Sequence, residues 1–351
     1  MSTPPARSSE VTACPIHRRV LVDACSVLIP GLLESDASGR PEPRRPPDGT
    51  VARRRCRRGG GSSPAAGALR RLGGVSHDTE DNDTVRRAVI LARGLGTRMR
   101  REDADADLDE AQASVAASGV KALIDVGRPF LDYVLSTLAD VGITEVCLVI
   151  GPEHDVLREY AASRSGGRLT VTTAVQEEPR GTADAVAAAA DFAGDERIVV
   201  LNSDNFYPRE ALEALVAVQG AGLVGFDRDA LVAGSNIAED RISAFAVAAV
   251  DEHRQLRNII EKPDEETLEN LGRDCPISMN AWLFTAAIFE ACTRIEPSVR
   301  GELEILDAVR LLISEGEPFT VVPVEAGVLD LSSRADVSAV ARALEGVEVS
   351  L

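Results

Sequence analysis

Residues 88–98 read AVILARGLGTR, and this stretch decides the fold. Its first part, Ala88–Leu91, is a short apolar run that suits a strand buried on both faces. Glycines at 94 and 96 follow, so backbone N–H groups there can approach a phosphate without a Cβ in the way. Met99 replaces the third glycine of a dinucleotide loop, and no Gly-Lys-Ser/Thr follows as in a Walker loop. A plain tight turn is the alternative; Arg98, which can grip an anion with two N–H groups, favours an anion site.

Strands and helices alternate downstream of this loop. Apolar runs at 146–150, 169–175 and 198–201 predict further buried strands. Helices are predicted over 129–142, which begins with proline and ends with glycine, and over the alanine-rich segment 182–194. This order predicts an α/β fold with a doubly wound, mostly parallel sheet, whose ligands bind at the carboxyl ends of the strands.

The first 84 residues differ in composition from the rest. Arginine, proline, glycine and serine dominate there, so we expect a low-complexity, disordered extension over 1–84 and one folded domain over 85–351. Residues 1–74 hold 13 arginines and 6 acidic residues, whereas residues 75–351 hold 25 basic and 50 acidic residues. The basic extension fits either a tether or a passenger segment, and we expect the latter. The acidic domain argues against nucleic-acid binding and requires a local cluster of donors for any phosphate ligand.

Cysteine and hydropathy patterns bear on the compartment. The six cysteines are scattered and form no CxxC pair. We therefore expect reduced thiols in a cytoplasmic protein. No run of about 18 apolar residues occurs, so no membrane partner is expected.

The loop 94–98 resembles the GxGTR signature of the sugar nucleotidyltransferases, also called nucleotide-sugar pyrophosphorylases. Further segments follow in the order of that family across roughly residues 86–345. They are Lys121, QEEPRGTA at 176–183, SDN at 203–205, EKP at 261–263, Asn280, EILDA at 304–308 and Leu329-Asp330. Each segment alone is a weak indication, but the ordered set is specific.

The resemblance implies a Rossmann-like nucleotidyltransferase topology and a magnesium-dependent reaction. A sugar- or cyclitol-1-phosphate attacks the α-phosphorus of a nucleoside triphosphate in line, and pyrophosphate leaves. A phosphate monoester is already a nucleophile, so catalysis needs positioning and charge neutralisation rather than a general base.

The resemblance also implies roles for individual residues. Arg98 and Lys121 are the implied catalytic residues, and Asp204 and Asp330 the implied Mg²⁺ ligands. Asp204 alternatively fits a turn residue and Asp330 a helix cap. Nucleotide binding is implied for Gly94, Gly96, Thr97, Gln176, Gly181 and Thr182. Sugar-phosphate binding is implied for Asn205, Glu261, Lys262 and Asn280.

Lysine usage supports these roles independently. The chain has 36 arginines and only two lysines, Lys121 and Lys262. Both stand where the resemblance implies phosphate binding, a task suited to a compact point charge with rotating donors. The alternative is that these two lysines occur by chance at solvent-exposed positions without a role in binding.

The sequence defines the nucleotide base and the sugar of the two substrates less well than it defines the reaction. LARG at 91–94 and SMNAW at 278–282 resemble a bacterial subgroup that includes valienol-1-phosphate guanylyltransferases, which suggests GTP and valienol-1-phosphate in antibiotic biosynthesis. A hexose-1-phosphate uridylyl- or thymidylyltransferase is the generic alternative. A glycosyltransferase consuming nucleotide sugars and a non-catalytic regulatory homologue also stay open. We expect a homo-oligomer.

Two residues depart from the family pattern. Arg93 stands where the family usually has alanine, and Ser203 stands where it usually has glycine.

Overall fold

The structure is a computed structural model that describes residues 84–351 except positions 102, 104, 105, 107 and 273. The extension expected over 1–84 lies outside the described residues, apart from Thr84. Chain contacts group Gly74–Leu351 into one unit. The boundary predicted at residue 85 stays a prediction.

The strands belong to one large sheet and one small ribbon. In chain order they are β1 (Arg87–Leu91), β2 (Glu145–Ile150), β3 (Thr170–Val175), β4 (Ile198–Asn202), β5 (Asn205–Phe206), β6 (Ala221–Phe226), β7 (Ala246–Val250), β8 (Leu256–Ile260), β9 (Ile277–Phe284), β10 (Phe319–Val324) and β11 (Leu329–Asp330). Within the described residues, nine strands form a sheet in the order β10-β6-β9-β4-β1-β2-β3, to which the β7–β8 hairpin is joined through β9. Strands β5 and β11 form a separate antiparallel ribbon.

Helices connect these strands and cover the sheet. They are α1 (Thr97–Arg100), α2 (Glu110–Ser118), α3 (Phe130–Asp140), α4 (Asp155–Arg164), α5 (Thr182–Ala187), α6 (Ala190–Ala193), α7 (Arg209–Val216), α8 (Arg228–Gly234), α9 (Glu265–Leu271), α10 (Ala287–Arg294), α11 (Ile305–Ser314) and α12 (Val337–Ala343). Three short 3-10 turns occupy Lys121–Leu123, Glu239–Ala244 and Arg334–Asp336. Among the helices of the described region, none is long and apolar enough to cross a bilayer.

Two predicted helices have different outcomes. Helix α3 begins directly after Pro129 and ends ahead of Gly142, whose φ is 95°, as predicted. The alanine-rich segment is divided into α5 and α6 rather than forming one helix. Only alanines stand at the break, so helix propensity does not cause it. Ala189 and Ala193 are both buried in the core cluster that contains α5, and at the break the Ala189 N–H donates to the Val186 carbonyl oxygen, three residues earlier, at 3.0 Å.

Strand β1 lies at the centre of the parallel part of the sheet. It pairs in parallel with β2 on one side and with β4 on the other. Ala88 and Ile90 enter one buried core cluster and Val89 enters the other. Because both faces are covered, the strand is apolar without alternation. The predicted doubly wound, mostly parallel sheet is therefore confirmed, although β9 runs antiparallel between β4 and β6.

Strands β1, β3 and β4 run in the same direction, because β4 pairs in parallel with β1, β1 with β2, and β2 with β3. Their carboxyl ends therefore lie at the same edge of the sheet. The glycine loop follows β1, Gln176 follows β3, and Asp204 lies two residues after β4. Parallel sheets place ligands at this edge.

Candidate active site

The two glycines of the loop between β1 and α1 have different constraints. Gly96 has a φ of 59°, and a Cβ built on it would lie 2.3 Å from the carbonyl oxygen of Gly119. Only glycine therefore fits there without a backbone shift. A Cβ built on Gly94 would meet nothing within 4 Å. Gly94 thus leaves open space, as expected where a ligand approaches the backbone.

A cavity of about 300 Å³ opens at the carboxyl edge of the sheet, and we call it the first cavity. Six predicted site residues line it: Gly94, Lys121, Gln176, Gly181, Thr182 and Asp204. Gly96 is buried within the loop, while Thr97 and Arg98 are exposed on α1, and none of these three residues lines the cavity. The structure therefore brings together most of the predicted nucleotide-binding residues.

Lys121 and Asp204 form an ion pair in the first cavity. Nζ of Lys121 lies 2.5 Å from Oδ2 of Asp204, and the two side chains are 14% and 20% exposed. Lys121 begins the 3-10 turn that follows Gly119, the residue packed against Gly96. The pair therefore joins the glycine loop to the end of β4. Because both groups are partly desolvated, their charges act more strongly than they would in water.

Gln176 is buried directly after β3, and both its side-chain amide and its backbone carbonyl group form hydrogen bonds. Its side-chain Nε2 donates to the carbonyl oxygen of Gly181 at 3.0 Å and to Oδ2 of Asp184 at 2.9 Å. Its backbone carbonyl oxygen accepts from the guanidinium of Arg93, which also donates to the carbonyl of Glu177 at 3.1 Å. Gly181 has a φ of 123°, and a Cβ there would lie 2.4 Å from the Leu303 carbonyl oxygen, so glycine is required.

Arg93 is a cavity residue that the sequence marked only as a departure from the family pattern. Its side chain is 8% exposed and lines the first cavity. The carbonyl groups that fix it lie 83 and 84 residues further along the chain. Its position one residue before Gly94 was the available indication of a role.

A second cavity, of about 200 Å³, adjoins the first. Glu261 and Asn280, both predicted to bind the sugar phosphate, line it. The two cavities share four lining residues: Leu91, Thr182, Asn202 and Glu302. Lys262 lies beside this cavity, with Nζ 3.5 Å from Oε1 of Glu261 and a side chain that is 55% exposed.

Backbone strain marks two of the predicted sugar-phosphate residues. Lys262 has a φ of 47° and Asn280 a φ of 60°, in the left-handed region that costs energy for residues other than glycine. Such strain persists where the surroundings over-determine a conformation, commonly at functional sites. Oδ1 of Asn280 also accepts a hydrogen bond from Nε1 of the buried Trp282 at 3.4 Å, which orients the amide.

Arg300 places a positive charge in the second cavity and was missed in the sequence. Its Nη2 lies 2.6 Å from Oε2 of Glu304 and 3.4 Å from Oε1 of Glu261. The hydrogen bond from Arg300 lowers the pKa of the Glu304 carboxyl. The contact with Glu261 spans 39 residues, so spacing along the chain gave no indication of it.

Asp330 and Asn205 lie together but outside the lining of both cavities. They face each other in the β5–β11 ribbon, and Nδ2 of Asn205 donates to Oδ1 of Asp330 at 3.2 Å. The buried carboxylate of Asp330 also accepts from Arg241 at 2.5 Å and from Ser332 at 2.7 Å. Burial raises the pKa of Asp330, and the neighbouring Asp204 charge adds to the rise. The predicted second metal ligand is therefore occupied by protein donors, and Asn205 is one of them.

The donor set bears on a bound metal. A divalent cation bound with a nucleotide commonly uses one or two protein carboxylates plus phosphate oxygens and water. Asp204 lines the first cavity and fits this chemistry, although its Oδ2 pairs with Lys121, whereas Asp330 lies outside both cavities and pairs with Arg241. No cluster of three or more potential metal ligands occurs in the part of the chain that the structure describes. The site therefore fits a cation shared with a phosphate ligand better than one held by protein alone.

The sequence profile of the family described as nucleotidyl transferase matches residues 113–331. The match begins after the glycine loop and contains Lys121, Gln176, Asp204 and Lys262.

Three known proteins are similar over most of this chain. The low-salt glycan biosynthesis nucleotidyltransferase of Haloferax volcanii is 31% identical over 233 residues, which are 66% of this chain and 58% of that protein. The UTP–glucose-1-phosphate uridylyltransferase of the same organism is 29% identical over 246 residues, 70% of this chain and 90% of that protein. The glucose-1-phosphate thymidylyltransferase of Streptomyces antibioticus is 31% identical over 270 residues, 75% of this chain and 67% of that protein. The chain thus spans little more than half the length of the first relative.

A solved structure shows the same fold at low identity. UDP-glucose pyrophosphorylase complexed with UDP-glucose superposes with a TM-score of 0.59 at 15% identity, covering 75% of this chain and 100% of that one.

Proposed function

We propose that this chain, which belongs to the nucleotidyl transferase family, transfers a nucleoside monophosphate from a nucleoside triphosphate to a sugar-1-phosphate and releases pyrophosphate. The Lys121–Asp204 pair in a cavity bounded by a glycine loop is the observation that supports this most directly. A second cavity, which adjoins the first and is also lined by polar side chains, supports a reaction between two ligands.

We assign the triphosphate to the first cavity. The open space at Gly94 admits phosphate oxygens to the loop backbone, and the Lys121 ammonium supplies positive charge beside them. Thr97 and Arg98, exposed at the start of α1, would contact the outer phosphates. Gln176, with Gly181 and Thr182, would hold the base end. Stabilising charge that develops around the α-phosphorus is the main catalytic task in such a displacement.

We assign the sugar-1-phosphate to the second cavity. Glu261 and Asn280 would hydrogen-bond sugar hydroxyls, and Lys262 at the edge would bind the phosphate. The phosphate oxygen itself is the nucleophile, so no side chain has to remove a proton. The protein's contribution is to hold that oxygen in line with the leaving pyrophosphate.

We propose Mg²⁺ as the cation, in a family that generally depends on a divalent metal. Asp204 would hold it together with phosphate oxygens, and when bound it would neutralise phosphate charge. Asp330 would contribute only after release from Arg241. Asp330 lies near Asp204, since the backbone N–H of the next residue, Leu331, donates to the Asp204 carbonyl oxygen at 2.8 Å, and this supports Asp330 as the second ligand.

For the substrate pair, we propose UTP or dTTP with a hexose-1-phosphate, because the similar proteins named above are a uridylyltransferase and a thymidylyltransferase. GTP with valienol-1-phosphate is the second candidate. Its support is the resemblance of segments 91–94 and 278–282, because Nη1 and Nη2 of Arg93 already donate to the carbonyls of Gln176 and Glu177 and are not free to grip guanine.

We also propose a cytoplasmic, self-associating protein. Cys147, Cys275 and Cys292 are buried free thiols, which supports a reducing compartment. Light scattering on the purified full chain would give its mass in solution, and a monomer at micromolar concentration would contradict self-association.

A pyrophosphate-release screen tests the activity. ATP, CTP, GTP, UTP and dTTP are each combined with glucose-1-phosphate, other hexose-1-phosphates and valienol-1-phosphate, with and without Mg²⁺. We expect metal-dependent pyrophosphate release with at least one pair. Release with none would favour a non-catalytic binder of sugar nucleotides, and sugar transfer to an acceptor without pyrophosphate would favour a glycosyltransferase.

A further inference from the structure

Arg93 lies where the hydrogen-bonded part of β1 ends and the glycine loop begins. The N–H of Ala92 still donates to the carbonyl oxygen of Val149 at 2.9 Å, which continues the pairing of β1 with β2. Beyond that point, the backbone groups of Gly94 and Leu95 form no hydrogen bond with another described residue. The start of the glycine loop is therefore not fixed by its own backbone.

The side chain of Arg93 supplies the missing contacts. Its Nη1 donates to the carbonyl oxygen of Gln176, and its Nη2 donates to that of Glu177 at 3.1 Å, both in the loop directly after β3. Nη2 also lies 3.7 Å from Oε2 of Glu153, in the loop after β2. Because β1, β2 and β3 are neighbours in the sheet, one guanidinium joins the loops that follow three adjacent parallel strands. We call these three contacts the Arg93 brace.

The two carbonyl groups provide most of the strength of the Arg93 brace. Hydrogen bonds from a charged guanidinium are stronger than those from a neutral donor, and only 8% of the Arg93 side chain is exposed. Glu153 is 54% exposed, so its contact with Arg93 contributes little. Nε of Arg93 is buried and has no partner in the part of the chain that the structure describes. Both terminal nitrogens are therefore needed to keep the loop in place.

We infer that Arg93 is a positioning residue, which keeps the start of the glycine loop in the shape that receives a triphosphate. Without the Arg93 brace, Gly94 and Leu95 would become ordered only when the ligand binds, and ordering a loop on binding weakens the affinity. The family usually has alanine at position 93, so the sequence motif alone does not imply this role. The inference rests on the proposed function, since it assigns a task at the proposed nucleotide site.

Limited trypsin digestion of the full chain tests the effect on the loop without any substrate. Arg98 is exposed directly after the loop, and proteolysis follows the local opening of a chain. Cleavage after Arg98, measured by mass spectrometry, should be about tenfold faster in Arg93→Ala than in the parent protein. Arg158→Ala is the matched control. Arg158 also donates to two carbonyl oxygens, those of Gly151 and Pro152, but both lie in the loop after β2, so cleavage after Arg98 should not change.

Calorimetric titration with UTP and with GTP, without sugar phosphate, tests the effect on binding. For a nucleotide that binds the parent protein, Arg93→Ala should raise Kd about tenfold, and Arg158→Ala should leave it unchanged. Arg93→Lys should raise Kd nearly as much as alanine does, because one ammonium group does not replace a planar fork that reaches two carbonyls. Guanidinium ion at millimolar concentration, far below denaturing levels, should bring Kd of Arg93→Ala back towards the parent value and leave the parent unchanged.

The possible results separate this inference from the proposed function. Unchanged cleavage after Arg98 in a folded Arg93→Ala protein, unchanged Kd in that variant, or no binding of either nucleotide by the parent would overturn the role of Arg93. Faster cleavage and weaker binding, together with no pyrophosphate release from any substrate pair, would keep that role and remove the proposed reaction. Pyrophosphate release by the parent with unchanged cleavage in Arg93→Ala would keep the reaction and remove the role.

Discussion

Nη2 of Arg241 lies 2.5 Å from Oδ2 of Asp330, a carboxylate whose side chain is 6% exposed. Nη1 of the same guanidinium lies 3.3 Å from Oδ1 of Asp336. One arginine therefore compensates two acidic groups next to the site, and it ties the turn Glu239–Ala244 to the β5–β11 ribbon. Because Leu331 N donates to the carbonyl oxygen of Asp204 at 2.8 Å, the same ribbon positions the Asp204 backbone.

Arg241→Met should lower the free energy of unfolding by about 3 kcal/mol, because it leaves the buried Asp330 carboxylate with only the neutral donors Asn205 and Ser332 and no cationic partner. Urea denaturation at neutral pH measures the change. Arg209→Met is the matched control, since Arg209 pairs with Glu213 on an exposed helix face and should unfold like the parent protein. Equal stability of the two variants would contradict a stabilising role for the Arg241 pair.

Alanine at each loop glycine should separate folding from binding. Gly96→Ala forces a left-handed φ and a contact with Gly119, so it should lower the free energy of unfolding by more than about 1 kcal/mol. Gly94→Ala meets open space and should leave the melting temperature unchanged, while its methyl group raises KM for the triphosphate roughly tenfold. Thermal melts and initial rates measure both effects. Normal KM in Gly94→Ala would place the phosphates away from this loop position.

Lys121→Ala should reduce kcat about 100- to 1000-fold, the usual effect of removing one donor to transition-state charge. Lys121→Arg should restore only part of the rate, because a planar fork replaces a compact ammonium. Lys262→Ala, the change at the chain's other lysine, should instead act mainly on KM for the sugar phosphate. Steady-state rates with each substrate varied measure these effects, and near-normal kcat in Lys121→Ala would exclude Lys121 from catalysis.

Stability should fall at mildly acidic pH through His154. Nδ1 of His154 accepts from the Gly151 N–H at 3.2 Å, and burial lowers the pKa of His154 below 6.5. The unfolded chain therefore binds the proton more readily, so stability is fully present above about pH 6.5 and is lost as pH falls towards the lowered pKa.

Urea denaturation across about pH 5.5 to 7.5 measures this loss. His154→Gln should flatten the slope, whereas His253→Gln, at an exposed position, should keep it. Carboxyl groups such as Glu304, whose pKa lies below 4.5, act under more acidic conditions. An unchanged slope in His154→Gln would assign the effect to another group.

Features that depend on local pattern were predictable from the sequence. The apolar run of β1, the glycines 94 and 96, and the Pro129–Gly142 helix follow from period, backbone freedom and capping, which act over a few residues. Lys121 stood out through composition, because it is one of two lysines.

Features that depend on distant partners were not predictable in this way. The Arg93 contacts with 176 and 177, the Arg300 contact with Glu261 and the Arg241 contact with Asp330 each join residues far apart in the chain. An arginine in sequence shows neither which carboxylate it meets nor whether that carboxylate is thereby withdrawn from metal binding. The predicted roles of Asp330 and Asn205 are the ones this affects most.

Leu91, Thr182, Asn202 and Glu302 line both cavities, so the two cavities adjoin at these residues. If the proposed reaction takes place here, its product, a nucleotide sugar, would occupy both cavities together. It would then exclude the next molecule of either reactant until it departs, and a non-hydrolysable analogue of it would compete with both substrates.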